Sequence, residues 1–346
     1  MTLSAGAPLP WPGGMKKRMG LMPKSLLGWI VFSTALALPT VAFALAGPPI
    51  VTILEGSAIV FHGTSKLAAT EGERVQPGDL VETSKDSFLR LEYEDGTHID
   101  LGPKTQLQVA HPTETKGDRA ALYVLSGWIK LTIGETKRAP NAAFASPLFD
   151  GTDIAGVVVA HIGSRGGAMF VETGRVRTAN RHVRAPSAPS LTNGDFASIA
   201  SDGRAVVDAH PSGEFLEQMP RPFRDSLPSR LNRFREHPTA AKSLGEFSYG
   251  DVEAWINAEP SVRRQFVQTW RTRADDPAFR LELTGKLALH PEWGPVLFPE
   301  LYTPKPAATQ PNTPPPASSP EGASAANPPP GTSSGAAAPD SPSPPR

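Results

Sequence analysis

The sequence predicts a mainly β module of stacked short strands, followed by a small, mostly helical region and a disordered, proline-rich tail. Turn-forming Gly, Asp and Pro residues separate short apolar runs between residues 50 and 210. Apolar residues recur three and four positions apart in the region from 214 to 302. From residue 303 to 346 there are 14 prolines and no Val, Ile, Leu, Met, Phe, Tyr or Trp. This last segment lacks the apolar surface needed to offset chain entropy.

Residues 1–46 have the pattern of a secretory signal peptide. A basic stretch around residues 15–24 precedes an uncharged run from Ser25 to Ala46. Pro39 breaks the apolar core, and small residues at 42, 44 and 46 offer two signal-peptidase sites, so we predict cleavage after Ala46, with cleavage after Ala44 as the alternative. The run is also about as long as the roughly 20 residues that span a bilayer. A periplasmic protein is therefore expected, with an uncleaved, inner-membrane anchored form as the alternative.

One hairpin in the β region has a register that can be derived. Leu89 and Leu91 alternate with polar residues before an Asp-Gly turn at 95–96, and Ile99 and Leu101 do so after it. A two-residue loop would place polar groups on the apolar face. The pattern instead favours a three-residue loop, 94–96, which pairs Leu91 with Ile99 and Leu89 with Leu101.

The same register places a polar face on the other side of the hairpin. Arg90 lies opposite Asp100, and Glu92 lies opposite His98. Together with the acidic residues 94 and 95, these side chains have the types that bind metals. A single flat strand face spreads such ligands apart, however, so we expect a solvated face with weak cross-strand pairs.

The region from 214 to 302 contains helix signals. Ser248 followed by Asp251 predicts a capped helix start ahead of an apolar stripe. Trp255, Trp270 and Trp293 lie in this region, the first two on helical stripes. Such stripes indicate a packed core. An exposed aromatic platform for sugars is the alternative.

Composition and motifs argue against nucleic-acid binding and against the common classes of enzyme. Lys plus Arg and Asp plus Glu number 34 each, so no net field favours nucleic acid, and the chain contains no cysteine. The eight histidines are scattered singly, and the usual nucleophile, zinc and nucleotide motifs are missing. We therefore predict no catalytic residues, no cofactor and no metal. Scattered carboxylates converging in a groove, as in a glycosidase, remain the enzymatic alternative.

A basic segment between the two regions is the candidate partner-binding site. It contains Arg221, Arg224, Arg230, Arg233 and Arg235, with few acidic residues nearby. Such a cluster fits an acidic protein or an anionic envelope polymer, with peptidoglycan as one possibility. The alternative interpretation is a solvated linker. Contact with a membrane is expected only through the N-terminal segment, if that segment is uncleaved.

The β region resembles the FecR domain of Gram-negative bacteria. The resemblance is carried by the strand-like stretch 51–60, by the Pro-Gly-Asp turn at 77–79 with its following strand, and by the Asp-Gly-Thr turn at 95–97. It continues in the glycine-centred stretches 125–131 and 170–177 and in the closing segment 191–196. Ser146-Pro147 and Ala155-Gly156-Val157 depart from the family's pattern.

The resemblance implies a stacked β fold and a non-enzymatic role in envelope binding, scaffolding or signal relay. Well-known members are membrane-anchored regulators that reach a sigma factor through a cytoplasmic helical domain. Only 24 residues precede the uncharged run here, too few for such a domain. A membrane-anchored relative of those regulators is therefore the alternative expectation.

Overall fold

The structure, a computed structural model, describes residues 48–109, 122–134, 142–183 and 189–302. The predicted signal segment and the predicted disordered tail lie outside the described residues. Within these ranges, the helices are too short or too polar to cross a bilayer. The described chain divides into two compact units at Phe247 and Ser248.

The first unit is β-rich, as predicted, and its described strands join into one extensively hydrogen-bonded sheet. They are β1 Ile50–Glu55, β2 Ala58–His62, β3 Ser65–Ala68, β4 Leu80–Thr83, β5 Phe88–Glu92, β6 His98–Leu101, β7 Gln106–Val109, β8 Leu122–Thr132, β9 Ala142–Ala145, β10 Phe149–Gly163, β11 Gly166–Asn180, β12 Ser190–Thr192, β13 Phe196–Ala200, β14 Ala205–Asp208 and β15 Lys242–Glu246.

Three long strands, β8, β10 and β11, connect two parts of this sheet. The first half of β8 pairs with β7, and its second half pairs with both β6 and β10. β7 continues through β4, β2 and β3 to β15, whereas β6 continues through β5 to β1. Beyond β10, β11 pairs with β12 near its end and with β13 near its start. Apolar residues of both parts, such as Val60 and Leu89, belong to one buried core.

The β5–β6 hairpin confirms the predicted register. Leu91 pairs with Ile99 and Leu89 with Leu101. The Tyr93 amide donates to the Thr97 carbonyl at 2.8 Å, which closes the three-residue loop.

The first unit also contains three short helices, α1 Gly213–Gln218, α2 Arg221–Arg224 and α3 Leu231–Phe234. It extends past the expected end of the β domain near residue 210, because these helices pack against the sheet and β15 pairs with β3. Part of the region expected to be mostly helical is therefore built into the β-rich unit.

The second unit is helical. Its helices are α4 Tyr249–Ile256, α5 Pro260–Thr269, α6 Pro277–Gly285, α7 Gly294–Leu297 and α8 Pro299–Tyr302, with short 3-10 turns between α5 and α7. Ser248 and Asp251 cap the start of α4 reciprocally, as the sequence predicts. Trp255, Trp270 and Trp293 are each at most 2% exposed, so they form the core of this unit and not a surface platform.

Candidate functional site

The arginine-bearing segment is a structured cover on the sheet. We call residues 213–235, which include α1, α2 and α3, the strap. Phe215, Met219 and Phe223 of the strap are buried against the outward face of the sheet. That face contributes Ile53, Phe88, Trp128, Val159 and Phe196. The solvated-linker interpretation is therefore wrong, because Phe223, which lies between Arg221 and Arg224, is buried in this contact together with the two residues that precede the arginines.

The strap also covers a buried ion pair. Arg90 and Asp100 form a bidentate pair, with Nε to Oδ1 at 2.6 Å and Nη2 to Oδ2 at 2.8 Å. Their side chains are 4% and 1% exposed. The remaining Arg90 nitrogen, Nη1, donates to the carbonyl of Leu227 in the strap at 2.9 Å. The expected solvated face is wrong at this pair, because the strap excludes water from it.

Glu92 is the second polar anchor of the strap. Its carboxylate accepts hydrogen bonds from Thr52 Oγ1 at 2.7 Å, from the Ser229 hydroxyl and from the Arg230 backbone amide at 3.1 Å. Burial alone would raise the pKa of Glu92, but these hydrogen bonds and the nearby Arg90 charge outweigh it and lower the pKa. Glu92 is therefore a buried, ionised acceptor that holds the strap backbone.

Lys130 provides a third anchor. Its Nζ lies 2.8 Å from Glu172 Oε2 and donates to the Phe223 carbonyl of α2 at 2.6 Å. The lysine thus links two strands of the sheet to the middle of the strap.

Two of the five candidate arginines are engaged in holding the strap. Arg230 Nη1 lies 3.1 Å from Glu71 Oε1 and 3.5 Å from the Thr52 carbonyl. The guanidinium of Arg224 donates to the carbonyls of Leu216 and Met219, which closes the end of α1. Arg230 is half-buried, whereas Arg224 remains exposed.

The other three arginines, Arg221, Arg233 and Arg235, are exposed. The guanidinium of Arg233 lies 5.2 Å from the ring centroid of Phe234. Arg74, which sequence reasoning missed, approaches the same end of the strap and donates to the Arg235 carbonyl at 3.1 Å. The structure therefore brings a further cation, from a distant part of the chain, to the end of the strap that contains Arg233 and Arg235.

The acidic residues considered as metal ligands have other partners. Glu92 holds the strap, Asp100 pairs with Arg90, and Asp95 accepts from the Thr97 amide at 2.8 Å within its own turn. In the part of the chain that the structure describes, no three His, Asp or Glu side chains converge as a metal would require. Burial lowers the pKa of His98, which favours the neutral ring.

A second titratable cluster lies beside β2 and β4, and sequence reasoning did not single it out. His62 Nδ1 lies 2.7 Å from Asp79 Oδ1, and the Gln76 amide donates to Asp79 Oδ2 at 2.7 Å. Glu73 accepts from the Thr70 amide at 3.2 Å. Burial raises the pKa of Asp79 and raises that of Glu73 to about 7. Each carboxyl accepts a hydrogen bond from a backbone amide three residues earlier in the chain, so both stabilise local turns.

Comparison with known proteins adds a limited finding. No protein-family model and no curated protein matches the chain. Two crystal structures of a protein from Parabacteroides distasonis, described as a "putative anti-sigma factor", align with 40% of this chain at 14% identity. The TM-scores are 0.33 and 0.32, and this chain covers 64% and 62% of those chains, less than two thirds of either. A similarity of this extent does not establish a shared family, so the FecR resemblance stays a prediction.

Proposed function

We propose that this chain is a non-enzymatic binding module of the bacterial cell envelope, located in the periplasm, and that the strap contacts an acidic partner. The observation that carries the proposal is that the strap has a fixed backbone and exposed arginine side chains. Its backbone is held on the sheet by Arg90, Glu92 and Lys130, whereas Arg221, Arg233 and Arg235 are exposed. A fixed backbone lowers the entropy lost when such side chains bind a partner.

The polar groups beneath the strap support binding over catalysis. Arg90, Asp100 and Glu92 are each less than 5% exposed and are engaged in contacts that hold the strap or the sheet. A catalytic group must reach a substrate, and these groups are closed off by the strap. These polar groups therefore stabilise the fold.

Signal relay is the biological role that this proposal favours. Its support is the resemblance of residues 51–101 to the FecR domain and the signal pattern of residues 1–46. The partner would be an envelope protein or an anionic polymer, and peptidoglycan is the first polymer to test because its peptide stems carry carboxylates. Binding through exposed charges should weaken as salt rises.

Sedimentation with purified peptidoglycan at low salt tests the proposal. The variant replaces Arg221, Arg233 and Arg235 with Gln and leaves the structural Arg224 and Arg230 intact. If each exposed contact is worth roughly 0.5 kcal/mol, the triple variant should bind about tenfold more weakly.

The matched control replaces three exposed lysines of the same unit, Lys85, Lys104 and Lys242, with Gln. It removes the same charge from elsewhere, so its binding should equal that of the wild type. Equal retention of the arginine variant and the wild type, or no retention of the wild type at low salt, would contradict the proposed binding surface.

A further inference from the structure

The last strand at one end of the sheet, β14, leaves an open edge. Within the described ranges β14 pairs with β13 alone, and all four of its residues are exposed. Val206 and Val207 are 54% and 53% exposed. An edge strand with apolar residues and neither proline nor lysine is a template for an additional strand.

The hydrogen bonds of β13 determine which backbone groups face this edge. The Ala200 amide donates to the Arg204 carbonyl at 2.8 Å, so these two residues form a hydrogen-bonded pair. Such pairs alternate along an antiparallel ladder, which assigns Val206 and Asp208 to hydrogen-bonded pairs with β13 as well. The amides and carbonyls of Ala205 and Val207 therefore face outward.

The hydrogen bonds between β13 and β11 confirm which residues of β13 bond to β14. The Ser201 amide donates to the Arg165 carbonyl at 3.1 Å, and the Val171 amide donates to the Asp195 carbonyl at 3.1 Å. Odd-numbered residues of β13 thus bond to β11, which leaves its even-numbered residues to bond to β14.

We propose that β14 pairs antiparallel with β14 of a second copy of this chain. A hydrogen-bonded pair needs outward groups on both strands, and in the proposed register Ala205 faces Val207 of the second copy. This register places Val206 opposite Val206 of the second copy, at the two-fold axis. It also places Arg204 opposite Asp208 of the second copy, and the symmetry repeats that ion pair.

Other registers of the β14–β14 pairing lose either hydrogen bonds or charge pairing. A slip of one residue pairs an outward backbone group with an inward one, which removes the ladder. A slip of two places Val206 opposite either Arg204 or Asp208 of the second copy and loses the charge pairing. Charge and apolar complementarity thus select a second copy as the occupant and select its register.

Arg204 must exchange one partner for another. Its Nε lies 2.7 Å from Asp202 Oδ2, and the two side chains are 83% and 53% exposed. An ion pair this exposed contributes little, so Arg204 is available to Asp208 of the second copy. The contact is small, and the dimer should therefore be weak and concentration-dependent.

Disulfide trapping in the full chain tests the register, because the chain has no cysteine of its own. In Val206→Cys the two sulfurs meet at the two-fold axis, where facing Cα atoms of a non-hydrogen-bonded pair lie about 4.5 Å apart. This variant should form a disulfide-linked dimer under mild oxidation. In the control, Val207→Cys, the sulfurs are offset by two residues, and the variant should stay monomeric.

A proline variant separates pairing from random collision. Val207→Pro removes an outward amide and no bond to β13, so adding it to Val206→Cys should abolish the trapped dimer without changing the circular dichroism spectrum. Equal crosslinking of the two cysteine variants, or crosslinking that survives the proline, would overturn the proposal. The proposal would also be overturned if Val206→Cys formed disulfides only with other proteins and none with a second copy of the chain.

Discussion

Glu73 lies beside Asp79 near the start of β4 and is 5% exposed. Burial, assisted by the charge of Asp79, raises the pKa of Glu73 from 4.5 to about 7, although the Thr70 amide and His62 act in the opposite direction. Because the folded-state pKa is the higher one, the folded protein keeps a proton that the unfolded chain loses. The contribution of Glu73 to stability is therefore fully present below pH 4.5 and is lost as the pH rises through about 7.

Glu73→Gln should remove this loss, since glutamine carries no charge and can still accept from the Thr70 amide. The free energy of unfolding of the variant relative to the wild type should rise across that pH window, by on the order of 3 kcal/mol in total. Urea unfolding of both proteins at several pH values measures it. The control is Glu94→Gln, which removes an exposed carboxylate of the same unit and should show a smaller change across this window than Glu73→Gln. A difference for Glu73→Gln that stays flat, or that changes no more than the control, would refute the assigned pKa.

At the residue scale, the sequence predicts which residues pair across strands better than it predicts which side chains are buried. The alternation around the turn at 95–96 is enough to predict that Arg90 faces Asp100, and the structure confirms it. Burial of that pair depends on Leu227, 137 residues further along the chain. Local periodicity carries no information about a contact of that range, so the sequence favours a solvated face where the structure has a covered one.

At the scale of elements, glycines allow the long strands to approach each other closely. Gly156 and Gly174 are cross-strand partners in β10 and β11, with φ of 86° and 88°. A Cβ atom at 174 would overlap the Ala155 carbonyl, and one at 156 would overlap the Thr173 carbonyl. Side chains are strained at such φ values, and here backbone also occupies the space.

Gly174→Ala should therefore destabilise the first unit strongly, by more than the roughly 1 kcal/mol expected of a positive φ alone. The matched control is Gly78→Ala, whose φ is 92° but whose added Cβ meets nothing within 4 Å. Thermal unfolding followed by circular dichroism should show a larger fall in melting temperature for Gly174→Ala. A fall no larger than that of Gly78→Ala would contradict the close approach of β10 and β11.

The helix α6 shows what local signals can and cannot supply. Its apolar residues are compatible with a strand or a helix when taken alone, and the structure has a helix over Pro277–Gly285. Asp276 accepts from the Phe279 amide at 2.8 Å, and Pro277 occupies the first turn. An N-cap aspartate followed by proline is a helix-start signal that was present in the sequence. This signal favours a helix over a strand.

At the scale of the whole molecule, the β-rich class follows from the sequence because turn residues mark most strand ends. The location of the strap does not follow, because its short helices have little periodicity and its anchors come from β5, β6 and β8. Phe215, Phe223 and Leu231 alternate irregularly with arginine and proline, a pattern that also fits a linker. Only the assembled sheet supplies the apolar face that holds these side chains.

Hydrogen–deuterium exchange of the full chain tests the docked strap most directly. The Arg230 amide donates to Glu92 and the Phe223 amide to the Pro220 carbonyl, beneath or beside buried side chains. We predict that strap amides of this kind exchange far more slowly than those of an unstructured peptide, with protection that falls in Glu92→Ala. Exchange of residues 213–235 at unstructured rates, while β5 and β6 stay protected, would contradict the account.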